Sequence, residues 1–417
     1  MDKKRLLILG GGGRQLLPLI QAAKNEGYYV ILVGNMKKNP GIDICDKHYE
    51  EDCTNLEKVL DIAKKEKIDG VLGNAEYAMK YVAAVAEELG LIGNSSKAVH
   101  ILNSKYEFRN LLREENLYCP KSFLTESFEN AIEIAKEKGF SFPAILKPEV
   151  CSSSMGTTVI NSIDELYKAK DEWSLCKEYS NTKKVVIEEF VKMPSLDYII
   201  DGDIFVHHGE IIWNGLFSSK RSEHARLFPM TQSYPVKLTE IQQEKMKSAF
   251  TKIIKSAGVT YGALNVEGYF TENNELFVIE INARQGGNGI PYMIKKHCDI
   301  DYCKLLVTTA VGDDSYFNEV INTEHCCCFV SRHQCFWHAG ADQLNGIYEG
   351  LDISSEIQPY ITNIEELFQK GDIISPAKKA TEYVALVDLK FNSVDQQYSF
   401  VKDIEKHICP RVMINEK

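Results

Sequence analysis

The residues best equipped for chemistry lie in one stretch, GALNVEGYFTENNELFVIEINARQGG, residues 262–287. It reads as two strands around a turn. With Asn273 and Asn274 as the two central turn residues, positions where Asn tolerates positive φ, Glu267 faces Glu280 and Asn265 faces Asn282. The two-residue period of a strand then puts Glu280, Asn282 and Arg284 on one face, with Phe277, Ile279 and Ile281 toward a core. Directly opposed carboxylates destabilise a sheet unless something compensates. A hard divalent cation held by Glu267, Glu280 and the Asn282 amide oxygen would do so. A solvated glutamate pair on an exposed hairpin is the plainer alternative, but it leaves the gathering of polar ligands and an arginine without a reason.

A second group precedes it. Lys147 ends the strand FPAILKP, and a small-residue loop follows that includes Ser152, Ser153, Ser154 and Gly156, then a strand, TTVI. Such a hairpin can fold over phosphates and offer backbone amides. Its spacing is not that of a P-loop, and alone it would equally suit a mobile surface hairpin. The strand KKVVIEEFV carries Glu188, Glu189, Phe190 and Val191, with Asp197 after a short turn. A strand edge can pair with a base, and a nearby carboxylate can take a ribose. Lys220, Arg221, His224 and Arg226 form a basic cluster after EIIWNGLF. Such clusters are commonly solvated faces; here they also suit a substrate carboxylate or a γ-phosphate.

These residues need elements to hold them. Residues 5–33 run strand, glycine turn, helix, strand, and a second unit has a helix over about 55–66, the strand IDGVLG and a helix from Ala75. Buried strands alternating with amphipathic helices predict a parallel sheet covered on both faces. Pro18 falls early in the first helix, where a missing amide costs least. Gly10 and Gly12 fit a dinucleotide fingerprint, but Gln15 stands at its third position and no acidic residue follows the second strand. Those glycines therefore read as a tight turn, not an NAD site. Lys105 opens a helix whose Phe108, Leu111 and Leu112 form an apolar stripe, and a further helix is expected over 127–138.

Taken in order, the early lysine, the LKP strand and its loop, IEEFV, and GALNVE followed by VIEINARQGG resemble the ATP-grasp superfamily of carboxylate–amine and carboxylate–thiol ligases. The likeness covers roughly residues 1–310, and its most specific part is the last motif. Within that superfamily it resembles the biotin-carboxylase-like and carbamoyl-phosphate-synthase-like members. The resemblance implies a mixed α/β and α+β fold: an N-terminal Rossmann-like pre-ATP-grasp domain (1–96), an ATP-grasp domain (97–310, with a lid subdomain about 118–190) and a C-terminal α+β cap (311–417). It implies that Lys105, Lys147 and the loop from Ser152 to Gly156 contact ATP phosphates, that Glu188 through Val191 line the adenine, and that Asp197 takes the ribose. The family usually has a glutamate preceded by glycine at that ribose position, and a phosphate loop richer in glycine. Magnesium, or manganese in its place, would be held by Glu267, Glu280 and Asn282. Arg284 would meet the transferred phosphate or the substrate carboxylate, with Lys147, Lys220 and Arg221 as further catalytic candidates. The implied reaction joins a small carboxylate, an amino acid among the candidates, to an amine through an acylphosphate, releasing ADP. A thiol on a carrier protein is the variant acceptor, and a homodimer is compatible. A nucleotide-binding module without turnover would need a broken site, and an NAD-dependent oxidoreductase lacks its acidic residue. A full carbamoyl-phosphate synthetase is not expected, since one grasp unit fits in this length.

Composition agrees. The 417 residues are 44% hydrophobic and 26% charged, enough for two or three domains with cores. A net charge of −11 disfavours a nucleic-acid binder, which needs a basic face. The apolar N-terminal run is broken by glycines after five residues, and no stretch reaches membrane-spanning length, so a cytoplasmic location without membrane partners is expected. Twelve dispersed cysteines read as reduced thiols. Cys326–Cys328 with His333, Cys335 and His338 suggest zinc, but without a Cys-x-x-Cys and with His338 on the opposite face, buried thiols are the better reading.

Overall fold

The computed structural model describes residues 3–10, 13, 16–137, 139–151, 155–222, 228–287, 289–323, 328–338, 344–378 and 382–414. Gly12, Gln15, Ser152, Ser153, Ser154, His224, Arg226, Cys326 and Cys327 lie outside the described residues.

The chain begins with β1 (Arg5–Leu9), α1 (Leu17–Asn25), β2 (Tyr29–Val33), α2 (Pro40–Ile44), β3 (Lys47–Tyr49), α3 (Leu56–Glu66), β4 (Gly70–Gly73) and α4 (Glu76–Leu89). The strands form a parallel sheet in the order β3-β2-β1-β4. Alternation decides which side chains serve which face: Leu7, Leu9, Ile31 and Val33 pack under α3 and α4. Leu6, Ile8, Val30 and Leu32 meet α1 on the other side. Pro18 sits in the first turn of α1. The helices α5 (Ser96–Asn103) and α6 (Lys105–Glu114) follow, with Ser104 between them as the N-cap of α6. Phe108, Leu111 and Leu112 are buried there, as their spacing predicts.

A four-stranded antiparallel sheet comes next, built from β5 (Ser122–Thr125), α7 (Phe128–Glu137), β6 (Ala144–Pro148), β7 (Thr158–Ile160), α8 (Ile163–Leu166), α9 (Lys170–Tyr179) and β8 (Val185–Glu189). Its order is β5-β8-β6-β7, and Phe128, Trp173 and Cys176 cover it.

The largest sheet starts with β9 (Ile199–His207), β10 (Glu210–Arg221) and β11 (Pro229–Tyr234), continuing after α10 (Glu240–Ala257) with β12 (Tyr261–Phe270) and β13 (Leu276–Asn282). Three helices, α11 (Ile290–Cys298), α12 (Tyr302–Ala310) and α13 (Ser315–Ile321), lead to β14 (Phe329–Cys335), β15 (Gly346–Ile353), β16 (Ile361–Glu366), β17 (Ile373–Ile374) and β18 (Ala385–Phe391). The chain closes with α14 (Val394–Val401), α15 (Ile404–His407) and β19 (Ile408–Met413). Eight strands join in the antiparallel order β13-β12-β9-β10-β11-β14-β18-β16, so strands before and after residue 310 share one sheet. On one face α10 supplies Phe250, Ile253 and Ile254 to the core. On the other, α11 and α12 lie between this sheet and the N-terminal one, and Leu305, Leu306 and Ala310 complete the cover over Leu6 and Ile8. Among the described residues no helix is long and apolar enough to cross a membrane.

Candidate active site

The hairpin β12–β13 pairs Glu267 with Glu280 and Asn265 with Asn282, as the sequence predicts, but by a different route. Thr271 N–H donates to the Glu275 carbonyl (2.8 Å), which leaves a three-residue loop with Asn274 at φ 57°. The pairing near the turn is therefore one residue out. A bulge at Ile279, opposite the step from Glu267 to Gly268, restores it. The bulge also overturns the expected faces. Val278 and Ile281 enter the core, whereas Phe277 turns to the opposite side, against Tyr269 and Tyr118, and Ile279 is half-buried.

Across β12 lies a residue pair that sequence reasoning missed. Asp201 of β9 stands opposite Glu267, and Asp203 opposite Asn265. Two cross-strand rows result: Asp201–Glu267–Glu280, and Asp203–Asn265–Asn282. The pattern Asp-Gly-Asp at 201–203 was the available signal, but register to β12 cannot be read without the fold. Asp203 is wholly buried and accepts from Gly286 N–H (2.8 Å) and Asn265 Nδ2 (3.1 Å). A Cβ on Gly286 would meet both Asp203 and Asn265 at 2.8 Å, so only glycine allows this approach of the loop after Arg284.

Charge separates the two glutamates. Burial, together with Asp201 and Glu280, raises Glu267 to about 7 against the pull of Arg221, whose guanidinium lies 3.2 Å away. Burial would raise Glu280 too, but Lys105, the Asn282 amide (2.9 Å), Arg284 and Lys147 outweigh it and hold its carboxyl below the usual range. The row thus sets two opposed carboxylates beside an amide oxygen, and a divalent ion on Glu267, Glu280 and Asn282 fits that donor set.

The charges of Lys105 on α6 and Lys147 on β6 both act on Glu280. Lys105 Nζ donates to the Cys151 carbonyl (2.9 Å), at the start of the small-residue loop. Lys147 Nζ lies 2.7 Å from Glu188, whose other oxygen accepts from Arg109 Nε at 2.7 Å. Arg109, one turn beyond Lys105 on α6, also donates to the Val278 and Ile279 carbonyls at the bulge (2.9 and 3.0 Å). Its single role joins α6, the four-stranded sheet and the hairpin. The Glu188 side chain is consequently committed to this buried triad. Glu189 instead accepts from Ser141 N–H (2.9 Å), Phe190 N–H donates to the Pro143 carbonyl (2.9 Å), and the Val191 carbonyl accepts from Tyr269 O–H (2.6 Å). Beside that strand end, Tyr118, Tyr269 and Phe277 make an aromatic cluster.

Asp197 and Lys220 pair with each other at 2.5 Å. Arg221 reaches the carboxylate row, so two neighbours grouped by the sequence serve different partners. Gly156 has φ +68°. Arg284 bonds the Gln285 carbonyl (2.9 Å) and lies 3.4 Å from Glu76, in the first turn of α4. Burial and Glu280 raise the Glu76 carboxyl, offset in part by Arg284 and Lys105. Arg332 of β14 is a further missed cation. It is buried, 3.3 Å from Asp388, stacked over Tyr292 at 4.7 Å, and so close beneath Gly289 that a Cβ there would meet it at 2.7 Å. In the would-be zinc strand, His333 meets Thr231 Oγ1 at 3.0 Å, and burial lowers its pKa to about 4. Cys335 is buried, its thiol raised by burial.

The ATP-grasp domain family model matches residues 140–291. Carbamoyl phosphate synthase large chain of Thermotoga neapolitana is 24% identical over 334 residues, covering 75% of this chain and 29% of that protein. The C-terminal section from Aquifex aeolicus is 25% identical over 328 residues, covering 74% of this chain and 58% of that protein. The chain thus spans less than two thirds of these relatives' length. Among solved structures, L-amino acid ligase from Bacillus licheniformis superposes with a TM-score of 0.78 at 17% identity, over all of both chains. Phosphoribosylglycinamide synthetase from Anaerococcus prevotii gives 0.72 at 20% identity, covering 99% of this chain and all of that one. The fold is the ATP-grasp fold.

Proposed function

We propose that this chain, which carries an ATP-grasp domain, is an ATP-dependent ligase that activates a small carboxylate as an acylphosphate and passes it to an amine. The observation that carries this reading is the cross-strand pairing of Glu267 with Glu280 and Asn265 with Asn282, within the electrostatic reach of Lys105, Lys147 and Arg284. Lys105 and Lys147 bind the phosphates. The edge from Glu189 to Val191, with its aromatic neighbours, takes the adenine, and Asp197, paired to Lys220, takes the ribose. Magnesium on Glu267, Glu280 and Asn282 supplies charge neutralisation at the phosphates. A substrate carboxylate oxygen attacks the γ-phosphorus, and the bond to ADP breaks; an amine then attacks the acyl carbon and phosphate leaves. This chain's part is positioning and charge compensation.

The pair Arg284–Glu76 supports an amino acid as the carboxylate. Arg284 suits an α-carboxylate and Glu76, delivered from the N-terminal domain, suits its ammonium.

Screening amino acids and other small carboxylates for stimulated ADP release, with hydroxylamine as acceptor, tests the reading. A hydroxamate should form with the right carboxylate and ATP. Replacing Arg284 with Ala should depress hydroxamate formation about 10²-fold while ATP binding changes little, because its charge is needed where negative charge shifts. Release of pyrophosphate would instead establish adenylation, and no stimulation by any carboxylate would establish a binding module. A thiol acceptor would show as thioester formation with a carrier.

A further inference from the structure

Far from the carboxylate rows, at the other end of β9, two adjacent histidines meet an aspartate. We propose that His207, His208 and Asp314 form a transition-metal site for a borderline divalent ion, zinc by preference. One ligand atom from each lies within 4.8 Å of the others, and His207 Nε2 is already 2.8 Å from Asp314 Oδ1. Imidazoles with a carboxylate suit zinc far better than magnesium, which keeps to oxygen ligands.

Neighbouring residues on a strand point to opposite faces. Here β9 ends at His207 and β10 begins at Glu210, paired to it, so His208 and Gly209 are the two turn residues. His208 has φ 49° and Gly209 φ 87°. That left-handed conformation brings the two imidazole rings together, with centroids 4.3 Å apart and planes at 51°. Asn is the ordinary residue at such a turn position, and histidine has no backbone advantage over it.

Asp314 departs from its usual role as well. It precedes α13 as the N-cap, yet makes no capping hydrogen bond; Asp313 bonds the Ser315 amide instead (3.0 Å). Its carboxylate reaches His207. That histidine is 2% exposed, lies against Phe317 (4.8 Å between rings), and its Nδ1 is buried with no hydrogen-bond partner among the described residues. Unpartnered buried polar atoms are rare, and this one belongs to a ring that meets two other ligand groups. His208 is exposed and Asp314 half-buried, which leaves an approach from solvent. Bound metal would staple the β9–β10 hairpin to the α12–α13 connection.

The test uses the full chain stripped with chelator and returned to excess Mg²⁺, so that hard carboxylate sites are filled. Titration with Zn²⁺ against a chromophoric chelator should show one site per chain and a rise in Tm. Co²⁺ in its place should give visible absorption bands from nitrogen ligation. His208→Asn, which keeps a residue tolerant of the left-handed turn, and Asp314→Asn should each weaken Zn²⁺ roughly tenfold or more. Both should leave Mg²⁺-dependent ATP binding unchanged, which separates failure of this site from failure of the ligase reading. Absence of zinc binding by the parent chain, or equal binding by both variants, would overturn the proposal.

Discussion

Glu280→Gln is expected to lower Mg²⁺-dependent ATP affinity and turnover by on the order of 10²–10³-fold. The substitution preserves volume and one oxygen but removes the anion on which Lys105, Lys147 and Arg284 converge. Magnesium demands oxygen ligands in near-octahedral geometry, and a neutral amide oxygen replaces a charged one poorly. The lost charge also removes an attraction that Lys105, Lys147 and Arg284 share, although Lys147 keeps Glu188 and Arg284 keeps Glu76. Glu267→Gln should do less damage. Arg221 already compensates part of that charge at 3.2 Å, and burial raises Glu267 to about 7, so it carries only part of a full charge at neutral pH. Calorimetric titration of ATP with and without Mg²⁺ measures both. Equal loss in the two variants would show that the ion does not distinguish the glutamates, and no loss in Glu280→Gln would remove the metal assignment.

The contrast between these two glutamates shows how far the sequence could be read. Alternation within one hairpin is local, so the pairing of Glu267 with Glu280 could be written down before any fold was known. The turn, however, has three residues, and the bulge at Ile279 compensates. Two opposite one-residue errors cancelled at the site and surfaced only on the far side of the bulge, in the faces given to Phe277 and Ile279. The parallel N-terminal sheet was equally legible, because buried strands and amphipathic helices carry their periods in the chain itself. Asp201, Arg109 and Glu76 were not. Each acts through a partner 66, 79 or 208 residues away, and only register across β9, the docking of α6 on the four-stranded sheet, or the seat of α4 beside Arg284 reveals them. Charge pairing also misled: Lys220 and Arg221 are adjacent, yet strand alternation sends one to Asp197 and the other to Glu267. Likewise, Glu188 reads in the sequence as part of a nucleotide edge, but two cations from other elements claim its side chain.

That commitment of Glu188 predicts a large effect on stability. Glu188→Gln should destabilise the protein by roughly 3–5 kcal/mol, because it leaves Arg109 and Lys147 buried without their shared anion. Removing one partner of a buried ion cluster costs more than the cluster contributes over an apolar substitute, since the remaining charges are stranded. Burial works to raise the Glu188 carboxyl, yet Arg109 and Lys147 hold it at about 2, against 4.5 for the free group. Lys147 is displaced downward by burial and by the charges of Arg109 and Lys105, against the opposing pull of Glu188. The sign of the pH dependence follows from the glutamate. Its folded-state pKa is depressed, so the associated stability is fully present above about pH 4.5 and is lost as pH falls toward 2. The difference corresponds to about 3 kcal/mol from this one group. Urea unfolding of the parent chain, followed between neutral pH and pH 3, should show stability falling through that window, and the Glu188→Gln variant should show a smaller fall. Pairing the change with Arg109→Met should recover part of the loss at neutral pH, because the second substitution removes a stranded cation. If the double variant were as unstable as the sum of the two singles, the residues would act independently, and Arg109 would owe its place to the Val278 and Ile279 carbonyls alone.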